Sequence, residues 1–339
     1  MRKIFWLIVV AGIAACGWLT WALLSPVEPA GQTVVLLHPG YSTRRIAAEL
    51  KNAGVIRSER AFVLWHYVER TRSLKAGEYL FDKPASTIDI QKRLQRGDVF
   101  FHTVVVPEGF TTFDIARAIE AAGLGPGEDF LKVAQSDTTL IADIDPQARS
   151  LEGYLFPDTY QFTRMMTMHE MAAAMVRQFR QVAAQIRLLS NPSLGISESV
   201  AGRPVHEVVT MASIVEKETS VPEERTLVAS VYYNRLTSHI ALDADPSIIY
   251  AELLAGTYQG ALHHADMQFP SAYNTYRNAG LPPGPIGNPG RSSLEAAMHP
   301  AQTDFYYFVA DAQGHHRFAR SFEEHTKNVA AYRKAMRGQ

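Results

Sequence analysis

The chain is almost without cysteine: Cys16 stands alone among 339 residues. One thiol can close no intrachain disulfide and build no thiolate metal site, and its place inside an apolar run excludes thiol catalysis. Excess charge of either sign is also missing. With 33 basic against 34 acidic side chains, nothing marks an electrostatic nucleic-acid binder. Also absent are Ser-x-x-Lys, the Gly-x-Ser-x-Gly elbow, the His-Glu-x-x-His helix and a Gly-rich phosphate cradle behind a strand. The acyl-enzyme, zinc-helix and nucleotide chemistries that those patterns serve therefore have no support. The adjacent pairs His263-His264 and His315-His316 lack a further ligand at metal spacing and read as surface residues. Neither a metal nor a cofactor is expected.

One long hydrophobic run is present. Ile4 to Leu24 is uncharged and follows Arg2 and Lys3. Its length spans a bilayer as a helix, and the leading basic pair favours an N-terminus in the cytoplasm. Ile13-Ala14-Ala15-Cys16 resembles a lipoprotein cleavage box, the rival to an anchor. Gly17 to Leu24 continues apolar beyond it, which favours an uncleaved span. The reading is a cytoplasmic stub at 1–3, a span at 4–24, a Pro/Gly linker at 25–32, and the remainder in the periplasm. That makes it a single-pass membrane protein whose bulk lies outside, in a periplasm or its equivalent.

Past the linker, one plan occurs twice. Val34-Val35-Leu36-Leu37 meets His38-Pro39-Gly40-Tyr41-Ser42-Thr43 and then Ile46-Ala47-Ala48-Glu49-Leu50. Later, Val104-Val105-Val106 meets Pro107-Glu108-Gly109-Phe110-Thr111-Thr112 and then Ile115 to Ile119. Each is an apolar strand, a Pro/Gly turn and a Ser/Thr-capped helix. Either one repeated unit or a common plan reached twice accounts for them. Between the copies the pattern predicts a helix over 59–70, a strand over 75–81, and a helix from Ser86-Thr87 to Gly97. A small α+β module thus occupies 33–98, followed by a larger mixed α/β domain over 99–339. There, 165–189 reads as a long amphipathic helix whose methionines pack, and 191–203 as a loop. The fold class expected for the whole is α+β.

Met211 to Thr219 carries the chemistry. On a helix, Glu218 shares a stripe with Val215, Ile214 and Met211. A carboxyl there is costly to ionise, so its pKa should rise, as a general acid at neutral pH requires. Glu216 lies about 200° around the helix and reads as a structural partner to a basic residue. Phe269 to Tyr276 gathers two tyrosines, an amide and two hydroxyls, and Leu155 to Tyr160 does something similar after Glu152. Aromatic faces with amides and hydroxyls suit sugars; the same residues could instead fill core and cap turns.

Glu152 to Tyr160, Ala212 to Thr219, Ala244-Asp245-Pro246-Ser247, Ala272 to Tyr276, Gly280 to Ile286 and His299-Pro300 together resemble the YceG-like family of membrane-anchored endolytic murein transglycosylases. The resemblance covers nearly everything past the span. It implies that the second acid of Ile-Val-Glu-Lys-Glu-Thr, here Glu218, is catalytic. It also implies a LysM-like subdomain ahead of the catalytic domain, which suits 33–98. The reaction implied is non-hydrolytic cleavage of the MurNAc–GlcNAc β-1,4 bond within peptidoglycan strands, giving 1,6-anhydroMurNAc ends and terminating glycan elongation. Tyr273, Asn274 and Tyr276 are candidates for positioning sugar. Asp245 and Glu152 either hold polar contacts in the cleft or cap turns. Glycan strands and the membrane are the expected partners, with peptidoglycan synthases as possible neighbours. A muramidase-type hydrolase and a non-catalytic peptidoglycan-binding scaffold remain the alternatives.

Overall fold

The computed structural model describes residues 2–69, 73–189 and 203–337. The chain divides into two compact units, Met1–Thr103 with Gln161–Thr167, and Val104–Tyr160 with Met168–Gln339. Among the described residues it is a mixed α and β protein of twelve helices and three two-stranded sheets.

The first unit opens with α1 (Arg2–Leu24), a helix long and apolar enough to cross a membrane. Then follow β1 (Thr33–Leu37), α2 (Thr43–Asn52), α3 (Glu59–Val68), β2 (Gly77–Phe81) and α4 (Thr87–Arg96). The two strands are antiparallel, with Thr33 opposite Phe81 and Leu37 opposite Gly77. Their inner face closes a core of Leu37, Leu50, Ile56, Phe62, Tyr79 and Leu94. The helices start where serines can cap them: Ser42, Ser58 and Ser86 each accept from the backbone N–H three residues on. Gly97, at φ 79°, ends α4 in the left-handed conformation that glycine supplies. Helix α3 stops at Val68; position 70, where the pattern would end it, lies outside the described residues. The stretch 25–32 is stitched down, since Val27 bridges Ala85 and Arg57 donates to the Pro26 carbonyl at 2.9 Å.

The chain passes between the units within β3 (His102–Val105) and β4 (Thr159–Phe162), which pair with each other. The second unit carries α5 (Thr112–Ala121), α6 (Gly127–Ser136), α7 (Met168–Gln185), α8 (Val205–Glu218), α9 (Arg225–Thr237), α10 (Asp245–Ala255) and α11 (Arg291–Met298). The hairpin of β5 (Tyr307–Ala310) and β6 (His316–Ala319) follows, and then α12 (Phe322–Arg337). Pro204 precedes α8, which is buried at Val205 and from Val208 through Val215. Helix α7 is shorter than its apolar periodicity: it begins three residues late and ends at Gln185, with Arg187 beyond it at φ 62°. Met171 and Met175 pack fully buried. Of the loop read over 191–203, positions 191–202 lie outside the described residues. Helices α6, α10 and α11 and strand β6 had no clear signal. In α10, Ile248, Tyr250 and Ala251 are buried while Leu254 is exposed, so its apolar residues surround the axis and blur the helical period.

Candidate active site

Glu218 is the last helical residue of α8. Met211, Ile214 and Val215, which share its stripe, are fully buried. They anchor the helix in the core, and its end then delivers the carboxyl, half-buried, to the wall of a cavity of about 380 Å³. Burial pushes the Glu218 pKa up to about 7, and the negative charge of Asp245 adds to the rise. The negative end of the α8 dipole acts in the same direction. Against these, the Tyr232 hydroxyl donates to Oε1 at 2.7 Å and favours the anion. The apolar stripe therefore positions this acid, while the cavity wall and a second carboxyl set its protonation.

The other walls come from distant parts of the same unit. Tyr232 and Arg235 stand on α9, Asp245 begins α10, and Tyr276 follows in a loop. The Tyr276 hydroxyl donates to Asp245 Oδ1 at 2.6 Å. Arg235 is held in place: its guanidinium donates to the Ala241, Leu242 and Tyr306 carbonyls and to Asp243. It also lies over the Tyr307 ring at 5.1 Å. The β5 segment and α12 supply Tyr307, Phe308, Phe322 and His325, with the Tyr307 and His325 rings stacked at 5.2 Å. The cavity thus combines a carboxyl that holds its proton up to about pH 7, a second carboxyl, a fixed cation and a wall of aromatic faces.

Of the six residues singled out from sequence, Glu218, Asp245 and Tyr276 meet here. The other three lie elsewhere. Asn274 is fully buried and its amide is spent on its own loop, donating to the Met267 and Phe269 carbonyls and accepting from Tyr276 N–H. It shapes the turn that presents Tyr276. Tyr273 is half-buried, with its ring 5.1 Å from that of Tyr250. Glu152 is 1% exposed and accepts from Thr112 N–H, Thr112 Oγ1 and Asn288 Nδ2. Burial pushes its pKa up to about 7 as well, but no open face remains for a ligand to reach. Glu216 pairs with Arg225 at 3.1 Å and accepts from Gly290 N–H at 2.8 Å. His315 and His316 converge on Glu224, at 3.1 and 2.6 Å. No group of three or more His, Cys, Asp or Glu suited to a metal occurs among the described residues.

Tyr232, Arg235, Phe308, Phe322 and His325 went unrecognised in the sequence. A usable signal existed for Tyr232: a tyrosine in an apolar helix needs a partner for its hydroxyl, and an acid is the usual one.

The YceG-like family profile matches residues 35–331. The chain belongs to the YceG-like family. It is 33% identical over 329 residues to an endolytic murein transglycosylase of Bacillus subtilis (strain 168), covering 92% of this chain and 88% of that protein. A second endolytic murein transglycosylase, from Streptococcus pneumoniae serotype 2 (strain D39 / NCTC 7466), is 31% identical over 325 residues. There the match covers 86% of this chain and 57% of the relative, so the chain spans little more than half of that protein. A crystal structure of a yceG-like protein from Listeria monocytogenes aligns with a TM-score of 0.58 at 32% identity, covering 87% of this chain and 98% of that one.

Proposed function

We propose that this YceG-like protein is an endolytic murein transglycosylase in which Glu218 serves first as acid and then as base. The carrying observation is a carboxyl held up to about 7 in a cavity walled by aromatic rings. With Tyr232 donating to Oε1, the proton resides on the other oxygen. Glu218 gives it to the oxygen bridging MurNAc and GlcNAc as C1 gains positive character. The carboxylate left behind takes the proton of the MurNAc 6-hydroxyl, which closes onto C1 to give a 1,6-anhydro end. Proton and electron pairs balance, and the acid regains the proton it lost. One carboxyl suffices because the sugar supplies its own nucleophile, unlike the two-carboxyl arrangement of common glycosidases. Tyr276 and Asp245 then form a hydroxyl–carboxylate pair for sugar hydroxyls, with Tyr307 and Phe308 covering the ring face.

We read α1 as an inner-membrane anchor with the bulk of the chain periplasmic, supported by Arg2 and Lys3 ahead of the run. The module spanning β1 to α4, which closes its own core, is the LysM-like subdomain in this reading. Cleavage near the membrane would terminate growing glycans beside the synthases that extend them.

The deciding experiment is mass spectrometry of sacculi digested by wild type and Glu218→Gln. Wild type should release anhydro-ended muropeptides and the variant none; anhydro ends from a folded variant would overturn the assignment. Activity should fall as pH rises through about 7. Asp245→Asn removes a charge that disfavours the Glu218 anion and should move that limb toward acid, and Tyr232→Phe removes a donor and should move it toward alkali. The presence of Asp245 in the same cavity favours one rival, a two-carboxyl hydrolase, whose MurNAc-ended products would be one water heavier than the anhydro forms.

A further inference from the structure

Within the first unit, the apolar helix and the small module are packed together. Ala22 and Leu23 of α1 are buried with Ala61 of α3, and Leu19, Trp65 and Ile88 pack on them. Thr87 Oγ1 donates to the Ala22 carbonyl at 2.9 Å, and the Arg57 guanidinium lies 4.7 Å over the Trp21 ring. The module is therefore docked on the last turns of α1 instead of hanging from a free tether.

That docking fixes depth. Leu19 lies five residues before the end of α1, about 7.5 Å along a helix axis. Helix α3 packs beside it, so its edge sits below the end of the apolar run. Between the two helices runs a groove of about 290 Å³, lined chiefly by Leu19, Leu23 and Leu24 of α1 and Leu64, Trp65 and Val68 of α3. Its lip is apolar and open, with Leu64 49% and Val68 64% exposed. Trp18, Trp21 and Leu24 are likewise exposed on the adjoining surface of α1. In water this continuous patch would be costly, whereas against a bilayer it simply prolongs the lipid-facing surface of the helix. Trp18 and Trp21 stand where an aromatic belt meets the headgroups, and Arg57 over Trp21 can hold its charge at that level.

We propose that the Leu64–Val68 edge of α3 is immersed in the outer interfacial layer of the bilayer that α1 crosses, with lipid acyl chains filling the groove. The inference rests on the anchor reading above. The module then lies on the membrane and is not free to swing away from it.

The test is spin-label accessibility on the full chain in nanodiscs of phosphatidylethanolamine and phosphatidylglycerol. In a Cys16→Ser background, single labels go at Leu64→Cys and Val68→Cys, with Ile13→Cys on α1 and Lys51→Cys on exposed α2 as references. All four positions are exposed, so each variant should keep the fold. The ratio of oxygen to nickel-chelate collisions at 64 and 68 should approach that at 13 and exceed that at 51 several-fold. If 64 and 68 match 51 while 13 reports lipid, the anchor stands and the immersion is wrong. Water at 13 would overturn both. Labels at 64 and 68 shielded from both reagents would mean that a protein partner covers the groove, which also overturns the proposal.

Discussion

The chain builds one strand–turn–helix passage twice, and the two copies differ chiefly in what lies beyond them. Helices α2 and α5 are each ten residues long with a hydroxyl cap, Ser42 or Thr111. Gly40 and Gly109 turn the chain at φ 83° and 77°, and Gly54 and Gly123 follow the helices at 72° and 70°. Around the first turn His38, Pro39 and Gly40 are exposed, and a Cβ added at Gly40 would meet nothing within 4 Å. The second turn is fastened into its unit. Gly109 N–H donates to the Asn288 carbonyl, Asn288 Nδ2 donates to that of Phe110, and Thr112 donates to Glu152. A Cβ at Gly109 would touch Glu216 Cγ at 3.4 Å. The local plan makes the element, and distant partners decide whether its turn is a surface loop or a support beneath the helix that bears Glu218.

Asn288→Ala should break that contrast most severely. Its buried side chain also accepts from Gly153 and Leu155 N–H, so truncation strands several buried groups and should cost roughly 3–4 kcal/mol. His38→Ala should stay within about 0.5 kcal/mol. Thermal melts in detergent compare them, and equal losses would erase the distinction.

Glu152→Gln sharpens it next. The folded value of Glu152 is about 7 against 4.5 for the free group, so the folded state holds the proton more tightly. That contribution is fully present below pH 4.5 and is lost as pH rises through about 7, an effect on the order of 3 kcal/mol. Melting temperature against pH should fall less steeply across this window in the variant than in wild type; an unchanged slope would mean that Glu152 does not titrate there.

Smaller effects follow at the glycines. Gly40→Ala and Gly109→Ala both force a side chain into the left-handed region at about 1 kcal/mol, and the second should cost only slightly more, because its Cβ meets Glu216 Cγ at a contact distance of 3.4 Å where that of Gly40 meets open space. The caps come last. Ser42→Ala should cost about 1 kcal/mol or less and Thr111→Ala slightly more, since Thr111 and Asp114 form a reciprocal capping box. Equal melting shifts in each pair would show that the second copy is no more firmly held than the first.

Local signals were readable where the physics is local. Strands β1, β2 and β3, Ser42, Ser86 and Thr111 as caps, and Gly97 as a stop all depend on contacts within a few residues. The amphipathic period overran α7, because an apolar pattern does not report where the backbone turns left-handed, as at Arg187. Asn274 looked like a sugar ligand because an amide beside tyrosines suits both roles, and only its two carbonyl partners distinguish them.

By itself the sequence determined the apolar run that can cross a membrane, the twice-used passage, and an acid placed at the end of a buried helix. Tertiary structure alone decided that Asp245, Tyr232 and the β5–α12 aromatics surround Glu218, and that Glu152 is walled in. Spacing along a chain governs which residues share a helix face. Desolvation and the field at a carboxyl depend on groups brought together from far apart in the sequence, and no local pattern records those.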